Sequence, residues 1–170
     1  MADTNPARAL NVVRRIEAMC DFLEHPTITT AIEQHVPGSM PRAPGALGFD
    51  IPLWVGLGTV GLWAALDAFS ERAALPNHKK CMPERFSAPY IQGTDGQSLK
   101  ELDDLRHLYA HNYAGEADDE YFRHTRHVLK PDVPVPLTCG ATFDGRRLGL
   151  DLPHLRAYSR TVIRVLQRFP

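Results

Sequence analysis

The sequence has 170 residues, of which 44% are hydrophobic and 23% are charged, so we expect one soluble domain with a single hydrophobic core. The best candidate for a membrane span, Ile51 to Phe69, is interrupted by three glycines, and the N-terminus lacks the features of a signal peptide. Three widely spaced cysteines (Cys20, Cys81 and Cys139) argue against a disulfide framework and a structural zinc site. We therefore predict a cytoplasmic protein with no membrane partner.

Charge is distributed unevenly along the chain. The net charge is −1, but residues 1–122 carry 10 Lys/Arg against 17 Asp/Glu, whereas residues 123–170 carry 9 against 3. Most of the basic residues are arginines, whose planar guanidinium group suits phosphate recognition. A basic C-terminal third is compatible with a polyanionic partner.

The first predicted element is a long amphipathic helix. It opens at Asn5-Pro6, a capping residue followed by a proline in the first turn, and it runs to about Glu24. Its apolar face comprises Leu10, Val13, Ile16, Ala18 or Met19, and Leu23. Pro26 ends this helix, and we expect a short helix around Ile28 to His35, followed by a loop rich in proline and glycine over residues 36–50.

A second long helix is predicted from about Trp54 to Leu75, and a glycine motif lies near its start. Gly56-Leu-Gly58-Thr-Val-Gly61 matches the G-x-G-x-x-G pattern of dinucleotide-binding loops. Residues 76–97 hold no convincing second parallel strand and no other βαβ pattern appears in the chain, whereas that fold requires both. Close packing between two helices is the simpler interpretation of the glycines. The apolar side of the helix comprises Leu62, Trp63, Leu66 and Phe69.

The third predicted helix has the clearest start signal in the chain. After a loop over residues 76–97, Ser98 and Glu101 form the pattern of a capping box, in which each side chain satisfies a free backbone N–H. The helix should run to Tyr113 or Ala114, because Gly115 can adopt the left-handed conformation that ends helices.

The remaining elements complete a mainly α fold. A fourth helix is expected from about Ala117 to Leu129, and a small β-hairpin within residues 137–150 around Asp144-Gly145. A last helix should run from Pro153 to Phe169. We therefore predict a single domain over residues 1–170, an antiparallel bundle of about five helices with one hairpin.

The third helix carries the two residues best suited to catalysis, Arg106 and His111. Arginine can stabilise the negative charge that develops on a phosphodiester, and histidine can deprotonate a ribose 2′-OH or protonate the leaving oxygen. Five positions separate them, which places the two side chains about 140° apart on one helix. A long arginine side chain, a frayed helix end or a second copy of the helix across a dimer axis would bring them to one phosphate.

The motif resembles that of the HEPN superfamily, R-x(4–6)-H with a polar residue after the arginine. Arg106, His107 and His111 fit its shortest form, and Tyr113 extends it to R-x4-H-x-Y, as in HEPN toxins paired with minimal nucleotidyltransferases. The motif sits late on a central helix of a bundle of suitable size. Only about eight residues and the helical layout carry this resemblance, and His107 stands where asparagine or aspartate is common.

The resemblance implies a homodimer with two motifs facing one cleft and a metal-independent endoribonuclease activity. Arg106 and His111 would then be catalytic, with His107, Asn112 and Tyr113 in supporting positions. In the branch paired with nucleotidyltransferases, the position of Tyr113 accepts inactivating AMP groups. RNA and such an antitoxin are therefore the expected partners, and no cofactor is implied. Without the resemblance, Arg106 would pair with an acid such as Asp103 or Asp67, and His111 would cap the helix end.

Two acidic residues of the second helix, Asp67 and Glu71, are further candidates for a supporting role. They lie four residues apart, beside apolar residues, and a buried acid needs a partner. Such an acid could orient Arg106 or a histidine in the cleft. Equally, both could lie on the helix surface beside Arg72.

The last helix presents a row of arginines that could follow an RNA backbone. They recur at every fourth residue: Arg156, Arg160, Arg164 and Arg168. The opposite side of the helix is apolar and comprises Leu155, Tyr158, Val162, Leu166 and Phe169. Contacts to phosphates would add affinity that falls with salt. The alternative is an ordinary solvated helix face.

Two pairs of histidines have spacings that could bind a metal: His107 with His111, and His124 with His127. Neither an HExxH motif nor a third ligand accompanies them, so we predict no metal site.

Three functions follow from these patterns. The first is an endoribonuclease acting in toxin–antitoxin or antiphage biology, or in RNA processing. The second is a HEPN-like dimer that has lost catalysis and binds a nucleotide or a partner. The third is a helical adaptor in which the motif is coincidental.

Overall fold

The computed structural model describes residues 2–25, 50–76, 82–86, 88–111, 116–123, 127–132 and 135–170, without the side chains of residues 50–53, 111 and 120. Within these ranges the chain is mainly helical, as predicted. The elements in chain order are α1 (Ala7–Glu24), α2 (Asp50–Arg72), α3 (Met82–Arg85), α4 (Asp95–His111), α5 (Asp119–Phe122), β1 (Phe143–Asp144), β2 (Arg147–Leu148) and α6 (Leu152–Gln167). The helix predicted at 28–35, the loop over 36–49, and Asn112 to Gly115 lie outside the described residues.

Helix α1 begins and ends where the sequence indicates. The side chain of Asn5 accepts a hydrogen bond from the backbone N–H of Ala7 at 2.9 Å, so this residue acts as the predicted cap. The buried side chains are Ala9, Val13, Ile16, Cys20 and Leu23, with Leu10 and Met19 partly buried beside them.

Helix α2 begins four residues before the predicted start, because Pro52 is compatible with a first helical turn. It ends at Arg72, where Ala74 adopts a left-handed conformation with φ of 50°. The backbone N–H groups of Ala74 and Leu75 then bond back to the carbonyls of Glu71 and Ser70, both at 3.0 Å, which satisfies the last turn.

The three glycines of the G-x-G-x-x-G pattern lie inside α2, where they allow close packing. A Cβ atom on Gly58 would stand 2.5 Å from Cδ2 of Leu155 in α6, and one on Gly56 would stand 2.9 Å from Cδ1 of Tyr109 in α4. The packing interpretation is confirmed, because a dinucleotide-binding loop would have to lie between a strand and a helix.

Helix α4 packs against α2, α3 and α6 and supplies a continuous row of buried leucines. These are Leu99, Leu102, Leu105 and Leu108, each at most 2% exposed. The predicted capping box is wrong, because the helix already begins at Asp95. The single hydroxyl proton of Ser98 instead has two acceptors within reach, the Thr94 carbonyl at 3.2 Å and the Thr138 hydroxyl at 2.9 Å. Glu101 accepts hydrogen bonds from the backbone N–H of Thr138 and the hydroxyl of Tyr158.

The segment after α4 differs from the predicted fourth helix. Among its described residues only Asp119–Phe122 is helical, and Val128 and Leu129 donate their backbone N–H groups to the Asp104 carboxylate on α4. Residues 116 and 117 pair with the hairpin, through a bridge between Glu116 and Arg147 and a 2.7 Å bond from the Ala117 N–H to the Arg146 carbonyl. These side-chain and strand-like partners replace the hydrogen bonds of a helix.

The hairpin and the last helix are confirmed. Strands β1 and β2 are antiparallel, Asp144 pairs with Arg147, and Gly145 adopts φ of 58° in the turn. Helix α6 begins one residue before the predicted start, with Asp151 as its cap, and ends at Gln167. Its apolar face is buried against α1, α2 and α4.

Candidate functional site

Arg106 lies on α4 and its guanidinium group rests on the indole ring of Trp63 from α2. The central carbon of the guanidinium is 4.4 Å from the ring centroid, which is the geometry of a cation–π contact. Both side chains are half-buried. The Nε of Arg106 is buried, and no hydrogen-bond partner for it occurs among the described residues. The charge of this arginine is therefore held by an aromatic face and by no described carboxylate.

The indole of Trp63 is itself fixed by a carboxylate of α4. Its Nε1 donates to Oδ1 of Asp103 at 2.6 Å. Asp103 is one of the two acids, with Asp67, that the sequence offers as an ion-pair partner of Arg106. Its carboxylate instead binds the ring on which Arg106 rests, so Asp103 acts on the arginine through Trp63.

Asp67 forms an ion pair with Arg85 of α3, and not with Arg106 or Arg72 as the sequence suggested. The same guanidinium group donates to the Ser70 hydroxyl at 3.2 Å. It also lies near the indole of Trp63, at 6.0 Å from the ring centroid. Glu71 is exposed, so its carboxylate is not buried in the site.

His107 belongs to a separate aromatic cluster with His127 and Tyr121. Its ring centroid lies 4.9 Å from that of His127, which in turn stacks on Tyr121 at 4.1 Å with an interplanar angle of 4°. Nδ1 of His127 lies 2.9 Å from Oδ1 of Asp104. Since an ionised carboxylate can only accept, Nδ1 of His127 carries the proton in this contact.

Asp104 and Tyr121 are the two polar residues that hold this cluster together. The carboxylate of Asp104 also accepts the backbone N–H groups of Val128 and Leu129, the latter at 3.0 Å. The hydroxyl of Tyr121 donates to the carbonyl of Leu129 at 3.0 Å. Burial, and then the Asp104 carboxylate, raise the pKa of Tyr121 far above its ordinary value, so it remains a protonated donor.

The second half of the motif is described only in part. His111 is the last residue of α4, and its side chain lies outside the described part of the structure, as do Asn112 and Tyr113. The separation of Arg106 and His111 therefore stays a prediction, and so do the supporting roles of residues 112 and 113.

The predicted arginine row of α6 consists mostly of residues paired within the chain. Arg156 binds Asp21 and Glu24 of α1, each at 2.7 Å, and these acids raise the pKa of its guanidinium above the ordinary value. Arg164 and Arg168 bind Asp95 at 2.9 Å and 2.6 Å. Arg160 is exposed. RNA contact by this row stays a prediction.

Cysteine and metal chemistry receive no support from the described part of the chain. Burial raises the pKa of the Cys20 and Cys139 thiols, and both are free. Such thiols are weak nucleophiles, because the thiolate is the reactive form. Among residues within the described ranges, no three His, Cys, Asp or Glu side chains form a group able to hold a metal ion.

Comparison of the chain with models of known protein families, with characterised proteins and with solved structures finds no significant match. No helix within the described ranges is both long enough and apolar enough to cross a membrane.

Sequence reasoning did not assign four residues to this region: Trp63, Arg85, Asp104 and His127, the last of which it weighed only as a metal ligand beside His124. Trp63 had been assigned to the apolar side of α2, a role it also fulfils, since it packs against the core. A signal for its second role is its spacing from Asp67, four residues on, which places both on one face of α2. Arg85 and His127 lie on short segments without helical periodicity, and no local pattern marks their partners.

Proposed function

We propose that this protein is a metal-independent endoribonuclease of HEPN type that acts as a homodimer, with Arg106 and His111 as its catalytic residues. The observation that carries the proposal is the placement of Arg106. Its guanidinium is held on the face of Trp63, and no carboxylate within the described ranges pairs with it. Donors that no protein carboxylate occupies are what binding of a phosphate oxygen requires.

The proposed reaction is attack of a ribose 2′-OH on the adjacent phosphorus. The bond from O2′ to phosphorus forms and the bond from phosphorus to O5′ breaks, which leaves a 2′,3′-cyclic phosphate and a free 5′-OH. His111 would take the proton from the 2′-OH or deliver one to O5′, and Arg106 would stabilise the charge on the non-bridging oxygens. None of these steps requires a metal ion.

The proposed dimer explains how the two residues reach one phosphate. They lie about 140° apart around one helix. Two motifs facing each other across a symmetry axis allow Arg106 of one copy to act with His111 of the other. Supporting roles for His107, Asn112 and Tyr113 belong to the same proposal, as does an antitoxin of the minimal nucleotidyltransferase type that would modify Tyr113.

The proposal is tested by incubating the purified protein with total cellular RNA in EDTA and determining the end groups of the products. We expect cyclic-phosphate ends from the wild type. Arg106→Ala and His111→Ala should each lower the cleavage rate by roughly a hundredfold or more, because each removes a group that acts in the transition state.

Lys100→Ala is the matched control, because it removes an exposed cation from the same helix. It should cleave at the wild-type rate. Cleavage that survives both Arg106→Ala and His111→Ala would contradict the assigned residues. RNA that stays intact with the wild type would favour a HEPN-like module that binds a nucleotide or a partner.

A further inference from the structure

Trp63 of α2 lies among charged residues from two other helices, α3 and α4. The Arg106 guanidinium lies over the ring at 4.4 Å and that of Arg85 lies at 6.0 Å, while Asp103 accepts the indole N–H at 2.6 Å. A ring held at its nitrogen cannot rotate away without losing a hydrogen bond to a charged acceptor. Trp63 is therefore a fixed surface against which a guanidinium can rest.

The two arginines differ in how their donors are used. Arg85 is engaged by Asp67 and Ser70, and thus serves as a structural cation. The guanidinium of Arg106 rests on the indole face of Trp63. The buried Nε of Arg106 has no hydrogen-bond partner among the described residues. A cation–π contact restrains a guanidinium without occupying the N–H donors at its edge.

From this arrangement we propose that Trp63 is the positioning residue of Arg106, and that the indole and guanidinium together form the binding site for one phosphodiester of a single-stranded RNA. The indole holds the guanidinium in place and Asp103 holds the indole, so that the N–H donors of Arg106 remain directed at the ligand. The choice of RNA as the ligand rests on the proposed function, and so does the catalytic part of this inference; the contact between the indole and the guanidinium is observed.

The binding part is tested by the fluorescence of Trp63 itself. The chain has two tryptophans, so Trp54→Phe, on an exposed position of α2, leaves Trp63 as the only indole. The probe is a short 2′-O-methyl oligouridylate, which has phosphodiesters but no attacking hydroxyl. We expect a saturable change in Trp63 emission, because a phosphate bound to the Arg106 guanidinium changes the electric field of that cation at the indole ring.

Two further variants in the Trp54→Phe background assign this signal to Arg106. Arg106→Gln should abolish the emission change, and Lys100→Gln should retain it. An emission change that persists with Arg106→Gln, or no change with the parent protein at the highest oligonucleotide concentration, would overturn the proposed site.

The positioning role is tested by kinetics with a cleavable RNA. Trp63→Leu removes the ring and should lower kcat by roughly tenfold to a hundredfold with little change in KM, because a misplaced guanidinium stabilises the transition state poorly. Trp63→Phe keeps an aromatic face and should recover most of the activity. A purely structural role would lower the melting temperature of both variants and leave kcat per folded molecule unchanged.

The two measurements separate this inference from the proposed function. Cleavage without a Trp63 response to the oligonucleotide overturns the inference alone. A Trp63 response without cleavage by the wild type supports the site and overturns the nuclease. If Trp63→Leu does not fold, the fluorescence titration decides, because it uses the native indole.

Discussion

Asp104 shows how much of the local structure one buried carboxylate can determine. It is 8% exposed and accepts hydrogen bonds from two backbone N–H groups and from the ring of His127. All three donors belong to residues 127–129, a segment in which β-structure and helix are both absent. The side chain of Asp104 therefore supplies the acceptors that regular secondary structure would otherwise supply.

We predict that Asp104→Asn destabilises the protein by about 2–4 kcal/mol, because the amide replaces one acceptor oxygen with a donor that faces other donors. Urea unfolding measures the loss, and hydrogen exchange should show faster exchange at the Val128 and Leu129 amides. Asp119→Asn is the control, since its ion pair with Arg146 is solvent-exposed and should contribute less than about 1 kcal/mol. Equal effects of the two substitutions would refute the prediction.

Asp95 makes the free energy of unfolding of the protein depend on pH in the acid range. Burial opposes its ionisation, but hydrogen bonds from Arg168 and Arg164 outweigh burial and hold the pKa of Asp95 below its ordinary value. A carboxyl whose pKa is lower in the folded state stabilises the protein above the pKa of the unfolded chain. That contribution disappears as the pH falls through the folded-state pKa.

We therefore predict that Asp95→Asn lowers the free energy of unfolding by about 1.5–3 kcal/mol at neutral pH, since two charged hydrogen bonds are weakened. The difference from wild type should shrink as the pH falls below about 4, where the carboxyl of the unfolded chain takes up a proton, and should be lost once the pH passes below the folded-state pKa of Asp95. Urea titrations at a series of pH values measure both. A difference that stays constant down to pH 2 would contradict the assignment.

At the scale of helices, glycine determines how closely α2 can approach its neighbours. Alanine is favoured over glycine within a helix by about 1 kcal/mol, so a substitution is stabilising unless space is lacking. At Gly58 a Cβ would lie 2.5 Å from a methyl group of the fully buried Leu155. At Gly61 it would lie 3.1 Å from the terminal methyl group of Ile16, which can move by the few tenths of an ångström needed.

Gly58→Ala should therefore destabilise the protein by about 1–3 kcal/mol, because the overlap exceeds the gain in helix propensity. Gly61→Ala, the matched control on the same helix, should fall within about 1 kcal/mol of wild type. Thermal melting of both variants makes the comparison. A more stable Gly58→Ala variant would show that α2 and α6 separate more easily than their packing suggests.

The sequence predicts helices well where burial is periodic, and poorly where partners are distant. The buried faces of α1 and α6 follow from their apolar spacing alone. The capping box at Ser98 was a false signal, because Glu101 satisfies groups on Thr138 and Tyr158, 37 and 57 residues away. For the same reason the indole between Arg106 and Asp103 could not be foreseen: it comes from another helix, 40 residues before Asp103.

At the scale of the whole molecule, the arginines of α6 join helices that are far apart in sequence. Arg156 connects α6 to α1, whereas Arg164 and Arg168 connect its other end to the start of α4. These pairs engage three of the four arginines that the sequence offers as contacts for RNA. The basic C-terminal third is thus partly neutralised by acids from the first two-thirds of the chain.

We predict that the row contributes to RNA binding mainly through Arg160. Arg160→Ala should lower the slope of log affinity against log salt by about 1, the effect of losing one phosphate contact. Arg156→Ala should leave that slope unchanged and lower the melting temperature, because its acidic partners on α1 lose their counter-ion. Filter binding to a single-stranded RNA at several salt concentrations measures the slope. Equal slopes for the two variants would show that the row does not contact RNA.

The position of α6 also has a consequence for biosynthesis. This helix covers α1, α2 and α4 together, yet it leaves the ribosome after all of them. The packing of the leucine row of α4 and of Gly58 in α2 is therefore complete only after residues 152–167 have been synthesised. A nascent chain that ends before this helix contains Arg106 and Trp63 but lacks the element that completes the packing of α2 and α4, so the surroundings of the proposed site are complete only when the last helix folds.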